Sequence, residues 1–222
     1  MQPIFITGIG TDVGKTVISA IVAEALQADY WKPVQAGYAA GTDSEWVRGM
    51  ISDHLVVHPE VYKLKLPASP HIAAREEGIS IDLQKIYDQR PKNNEQLSTN
   101  KRPLIIEGAG GLLVPLNESD KVIDLIKKLN ASLILVSRNY LGSINHSLLT
   151  AEVCKANHID VLGWIFNDQY MDYEKEIADW SAYPILGSVR FTEKIDQSFI
   201  RQQASGLSQR LCQAIDPADK SA

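Results

Sequence analysis

Cysteine is nearly absent: Cys154 and Cys212 are the only two in 222 residues and stand far apart. A disulfide framework or a thiolate metal centre needs more of them at closer spacing, so both read as packing residues. With no leader-like segment at the start, this fits a reducing, cytoplasmic setting. Long apolar runs are missing too. The longest, such as Val161 to Phe166, reach about six residues, whereas roughly twenty are needed to cross a bilayer, so no membrane partner is expected. Nor is there an excess of positive charge, since 22 Lys and Arg against 27 Asp and Glu leave a net charge of -5. Without a basic stripe, nucleic acid is not an expected partner. Internal repeats and low-complexity tracts are also lacking. What remains is an ordinary folding composition, 45% hydrophobic and 22% charged. It leads to the expectation of one α/β domain over residues 1–215 and a fraying tail at 216–222.

Short apolar runs alternate with helical periodicity along the chain. Pro3–Thr7, Tyr30–Val34, Leu104–Ile106, Leu133–Val136, Val161–Phe166 and Pro184–Val189 read as strands buried on both faces. Pro33 belongs at the end of its strand, because proline cannot donate to a ladder. Helices are expected over Thr16–Leu26, over Thr42–Ile51 with Thr42 as N-cap, and after Ser69-Pro70. Asp82–Gln89 reads as a short helix and Pro91–Lys101 as a polar loop. Val122, Leu125, Ile126 and Leu129 fall on one helical face. Residues 144–157 form a helix with two apolar stripes. Ile144, Leu148 and Ala151 make one; Leu149, Val153 and Ala156 make the other, which must be buried elsewhere. A last helix ends near Ile215. Alternation of this kind predicts a doubly wound, mostly parallel sheet of the P-loop type, with ligands at the carboxyl ends of the strands.

The residues after the first strand sharpen the reading. Gly8-Ile9-Gly10-Thr11-Asp12-Val13-Gly14-Lys15-Thr16 lies between a strand and a helix. Glycines let successive N–H groups curl toward phosphate oxygens, and the helix start adds its dipole. Lys15 brings a full charge to the phosphates and Thr16 a hydroxyl to a magnesium ion. Gly8 stands six positions before Gly14, one more than in the common pattern. Gly10 occupies the place where partition-type ATPases carry an extra lysine, so a partition-type switch is the disfavoured alternative.

Thr7–Thr16 resembles the phosphate loop of dethiobiotin synthetases, usually Thr-Gly-Thr-Asp-Thr-x-Val-Gly-Lys-Thr. Five further segments match that family in order: Trp31–Gly37, Ser69-Pro70-His71, Glu107–Gly111, Leu141–His146 and Gly163–Asp168. The family closes a cyclic urea on 7,8-diaminopelargonic acid with CO2 or bicarbonate and ATP, using Mg2+, in biotin synthesis. Its route runs through a carbamate and a carbamic-phosphoric anhydride.

The resemblance implies roles residue by residue. Lys32 holds the carbamate and the transferring phosphoryl group, with Lys15 and Thr11 as its catalytic companions. Thr16, Asp43 and Glu107 are the magnesium ligands, Glu107 closing a strand as a Walker-B-like carboxylate. ATP is contacted by Asp12, Val13, Gly14, Lys15, Thr16, Val17, Asp43, Glu107, Gly108, Ala109 and Gly110. Asn167 reads the adenine edge, Asp168 beside it is a further ATP contact, and Arg190 and Phe191, after the last strand, are others. Thr11, Lys32 and Ala36 meet the substrate, while Leu141, Gly142, Ser143 and Asn145 bind its carboxylate across the interface of a homodimer. His146 reads as structural. Two departures stand out: Ile9-Gly10 replaces Thr-Asp, and Ala36 replaces a hydroxyl residue. Related cobyrinate-amidating enzymes carry a glutamine amidotransferase domain, for which this chain has no room.

Overall fold

The computed structural model describes residues 2–91, 102–168 and 171–216. The polar loop expected at 91–101 and the tail expected at 216–222 therefore fall, apart from Pro91 and Asp216, outside the described residues. Seven strands form one sheet: β1 (Ile4–Gly8), β2 (Asp29–Trp31), β4 (Val57–His58), β6 (Leu104–Glu107), β7 (Ser132–Arg138), β8 (Val161–Asn167) and β9 (Ile185–Val189). Their order is β4-β2-β6-β1-β7-β8-β9, and every neighbouring pair is parallel. A second, two-stranded sheet pairs β3 (Val34–Ala36) with β5 (Tyr62–Leu64).

The expected strand over Tyr30–Val34 is thus two strands in two sheets. Pro33, lacking an N–H, ends the first ladder, but its carbonyl accepts from Val61 and Tyr62 at 2.9 and 3.0 Å and starts the second. Lys32 sits at this break, and the chain lifts off the sheet just where a side chain is to reach over the strand ends.

Side chains alternate across the main sheet with period two. Ile4, Ile6, Tyr30, Ile105, Ile134 and Val136 join the core beneath α1 (Lys15–Leu26) and α8 (Gln197–Ile215). Phe5, Trp31, Ile106, Leu133, Leu135, Trp164 and Phe166 join the core on the opposite face. There they meet α5 (Val122–Leu129), α6 (Ser143–Ala156) and α7 (Glu174–Ser181). α7 is an element that periodicity did not announce. Its only buried residues are Ile177 and Ser181, too few to print a stripe.

α2 (Asp43–Met50) is held by a capping box at Thr42. The Glu45 N–H donates to Thr42 Oγ1 at 3.1 Å, and the Thr42 N–H donates to Glu45 Oε2 at 2.9 Å. The cap makes Asp43 the first helical residue. Two shorter helices, α3 (Pro70–Glu76) and α4 (Leu83–Asp88), complete the described chain. α3 begins with the expected Ser69-Pro70 start.

Strand β8 carries an irregularity on both sides, at Leu133/Ile134 of β7 and at Trp164/Ile165 against β9. Gly163 lies there with φ +149°, and a Cβ would stand 2.4 Å from the Pro184 carbonyl oxygen. Gly163→Ala is expected to lower the unfolding free energy by about 2 kcal/mol or more. The measurement is a urea denaturation midpoint that falls while the slope holds.

Candidate functional site

The registers bring the chemistry to one edge. Ile6 of β1 pairs with Glu107 of β6, so the last residue of β6 stands beside the strand that feeds the glycine loop. β1 lies between β6 and β7. The chain leaves β1 toward β2 on one side and later crosses to β7 on the other, a switch point with a crevice at the strand ends.

The loop is shaped by contacts that exclude side chains. Gly14 caps α1 at φ +89°, and a Cβ there would lie 2.1 Å from Asn167 Nδ2. Asn167 at the end of β8 donates that amide to the Val13 carbonyl at 3.0 Å, tying the loop to a distant strand. Lys15 donates to the Gly10 carbonyl at 2.7 Å and so closes the loop around its own ammonium.

A cavity of about 800 Å³ opens above these groups. It brings together Thr11, Asp12, Gly14, Lys15, Thr16, Val17, Lys32, Ala36, Asp43, Glu107, Ala109 and Gly110, all singled out from sequence. Gln35 and the Pro67–Pro70 turn complete its wall.

Within it, charges are paired. Glu107 is only 1% exposed. Its Oε1 accepts from Lys32 Nζ at 2.7 Å and from Thr16 Oγ1 at 3.0 Å, and its Oε2 accepts from the Tyr30 hydroxyl at 2.8 Å. Lys32 also donates to Asp43 Oδ2. The Asp43 N–H in turn donates to Gln35 Oε1 at 3.3 Å, while Gln35 Nε2 holds the Gly37 carbonyl at 2.8 Å. Two carboxylates and a hydroxyl form an all-oxygen donor set of the kind that suits a small hard cation also bound to phosphate.

Burial pulls the pKa of Lys32 down, but the Glu107 and Asp43 carboxylates overcome it, so Lys32 lies above its ordinary value and stays charged. Lys15 behaves oppositely. Burial brings its pKa from 10.5 to about 8; Glu107, Asp12 and Asp43 oppose the drop, and the nearby Lys32 charge adds to it.

Other expected residues lie away from this cavity. Gly108 donates its N–H to Ile6 at 2.9 Å, and a Cβ on it would stand 2.6 Å from Phe5. Its smallness therefore serves packing, while its neighbours Ala109 and Gly110 line the cavity. A neighbouring cavity of about 600 Å³ joins Thr11, Asp12 and Val13 to Asn139, Leu141 and Asp168, the last paired with Arg138 at 3.3 Å. Gly142 caps α6 at φ +102°, and Asn145 is exposed in its first turn. Arg190 and Phe191 are exposed just beyond β9.

Residues at these sites that were not singled out from sequence include Tyr30, Gln35, Arg138 and Tyr173. The Tyr173 hydroxyl donates to the Tyr140 carbonyl and lies 3.0 Å from Ser143 Oγ, at the head of α6. For Tyr30 a signal existed. A phenol inside a fully buried strand must find an acceptor.

Phosphate binding against Lys15 favours its charged form, so binding takes up a proton once the free lysine has lost it. ATP affinity is expected to be level below about pH 7. It should weaken by up to about tenfold per pH unit as pH rises through about 8. Calorimetry across that range checks the slope, and Lys15→Gln should bind more weakly without this dependence.

Comparison with known proteins agrees with the geometry. A family model described as an AAA domain matches residues 2–198. The septum site-determining protein MinD, complexed with Mg-ADP, from Pyrococcus horikoshii OT3 shares the fold at a TM-score of 0.55. It is 13% identical, with 98% of this chain and 96% of that one covered. The ATP-dependent dethiobiotin synthetase BioD of Christiangramia forsetii is 44% identical over 211 residues, 94% of this chain and 97% of that protein. The corresponding protein of Cytophaga hutchinsonii is 50% identical over 206 residues, 92% of this chain and 96% of that protein. With a phosphate loop, a paired Lys32 and a buried Glu107 meeting in one cavity, and relatives matched along nearly their whole length, the chain belongs to the ATP-dependent dethiobiotin synthetase family.

Proposed function

We infer that the chain joins CO2 to the two neighbouring amines of 7,8-diaminopelargonic acid, at the expense of ATP, to give dethiobiotin, ADP and phosphate. The observation that carries this reading is the convergence of Lys15, Lys32, Asp43, Glu107 and Thr16 on one cavity beside the glycine loop. The chemistry explains why two lysines are needed. One amine first takes up CO2 as a carbamate, whose oxygen attacks the γ-phosphorus while ADP leaves. The second amine then attacks the carbonyl carbon of the mixed anhydride, phosphate leaves, and the urea ring closes. In the first transfer both partners are anions and repel each other. Lys15 offsets charge on the phosphates, and Lys32 offsets it on the carbamate and on the phosphoryl group in transit.

Thr16, Asp43 and Glu107 are the residues that would hold Mg2+, whose charge neutralises the β- and γ-phosphate oxygens when bound. Their fit rests on the oxygen-only character of the set and on its place at the start of α1. Ala36 lines the same cavity, where a hydroxyl is usual in the family, so the substrate loses one protein partner there.

A homodimer is part of the proposal. The second apolar stripe of α6 points outward: Leu149 is 58% exposed and Leu113 beside it 52%. Both line an apolar cavity of about 400 Å³ with Leu112, Val114, Pro115 and Val153. A twofold contact on this face covers the stripe and brings one α6 head, with Leu141, Gly142, Ser143 and Asn145, toward the other subunit's substrate. A cytoplasmic location accords with Cys154 and Cys212, which are both free thiols.

The test is purified protein with ATP, Mg2+, bicarbonate and diaminopelargonate. Phosphate release that depends on the diamine, together with dethiobiotin detected by mass, is the expected result. Release indifferent to the diamine removes the assignment. Lys32→Gln and Glu107→Gln should each lower kcat by about 10²- to 10³-fold or more, with circular dichroism unchanged. Near-normal turnover in Lys32→Gln would refute its role.

A further inference from the structure

Glu107 presents two oxygens to two different worlds. Oε1 faces the cavity, where Thr16 and Lys32 reach it. Oε2 faces inward to Tyr30, which is fully buried at 0% exposure. The contact follows from register. Tyr30 of β2 pairs with Ile105 of β6, so its side chain leaves the sheet on the same face as that of Glu107, two residues on. The ring is packed in the core beneath α1 with Ile105 and Ile6, which leaves the hydroxyl one place to go. A carboxylate oxygen can only accept, so at 2.8 Å the Tyr30 hydroxyl is the donor.

A carboxylate on a flexible side chain can offer a cation one oxygen or both, and can rotate between the two. Here that freedom is removed from behind. We propose that Tyr30 is a positioning residue for the cation site: it pins Oε2 of Glu107 and leaves Oε1 as the single carboxylate oxygen offered to the magnesium ion that accompanies ATP. The proposal rests on the magnesium–nucleotide reading of the cavity. Outer partners of this kind, which orient a ligand without touching the metal, typically change metal affinity about 10- to 100-fold when removed.

The test uses Tyr30→Phe, which deletes one oxygen and keeps the ring. ATP binding is measured first in EDTA and then as Mg2+ is added. Wild type and variant should bind metal-free ATP alike, while the Mg2+ concentration at half-effect rises about tenfold or more in the variant. Mn2+ in place of Mg2+ gives a readout independent of turnover, a weakened and altered paramagnetic resonance spectrum of the bound Mn2+–ATP. A folded Tyr30→Phe with an unchanged Mg2+ midpoint overturns the proposal. Should the single variant fail to fold, Glu107→Ala is compared with Tyr30→Phe/Glu107→Ala. With no carboxylate left to orient, their Mg2+ midpoints should coincide, and a further several-fold loss in the double variant counts against the idea. Wild type whose ATP binding and turnover ignore Mg2+ would overturn the magnesium reading itself, an outcome distinct from a failure of Tyr30 alone.

Discussion

A carboxylate that is almost entirely shut away from water governs this site. Taking an isolated ion out of water costs several kcal/mol even after relaxation, and Glu107 is tolerable at the end of β6 only because three donors converge on it. Each donor comes from a different element: Tyr30 from β2, Thr16 from α1 and Lys32 from the break between β2 and β3. The requirement therefore runs outward from one side chain to the placement of three segments. Asp43 extends it to a fourth, since the capping box that starts α2 also sets where this second carboxylate meets Lys32.

The sheet supplies the geometry that makes the convergence possible. In a parallel sheet all strands end on the same side, so the residues that close β1, β2 and β6 share one edge. Side chains on the two faces do separate work. Ile4, Ile6 and Ile105 anchor α1 beneath the loop, while Phe5 and Ile106 hold the opposite helical layer. Gly108 belongs to this packing as much as to the site, because Phe5 occupies the space that any side chain there would need.

Much of this arrangement can be read in the residues themselves, and the parts that cannot have physical reasons. The phosphate loop is readable because each of its residue types answers a local demand, glycine for backbone curl and lysine for charge. Thr42 as N-cap is readable because a cap satisfies donors within three residues. The extent of the strand over Tyr30–Val34 is not readable locally, because the leap of Val34 into a second sheet depends on Val61 and Tyr62, far along the chain. α7 and the two-residue β4 are too sparsely buried to leave a pattern. Gln35 and Tyr173 act through hydrogen bonds to groups brought close only by folding. Tyr30 is the instructive middle case: its type declared a need for a partner, and only the parallel register named Glu107.

Lys32 also shapes how a cation can enter. Its ammonium is tethered a few ångströms from both carboxylates, which amounts to a very high effective concentration of a competing positive charge. A free cation would have to displace that tethered ion to reach the carboxylates. On the proposed reading, a metal carried in by a triphosphate would bring negative charge of its own, onto which the ammonium could move from the carboxylates. The resting ion pairs would then favour the metal and nucleotide together over the metal alone.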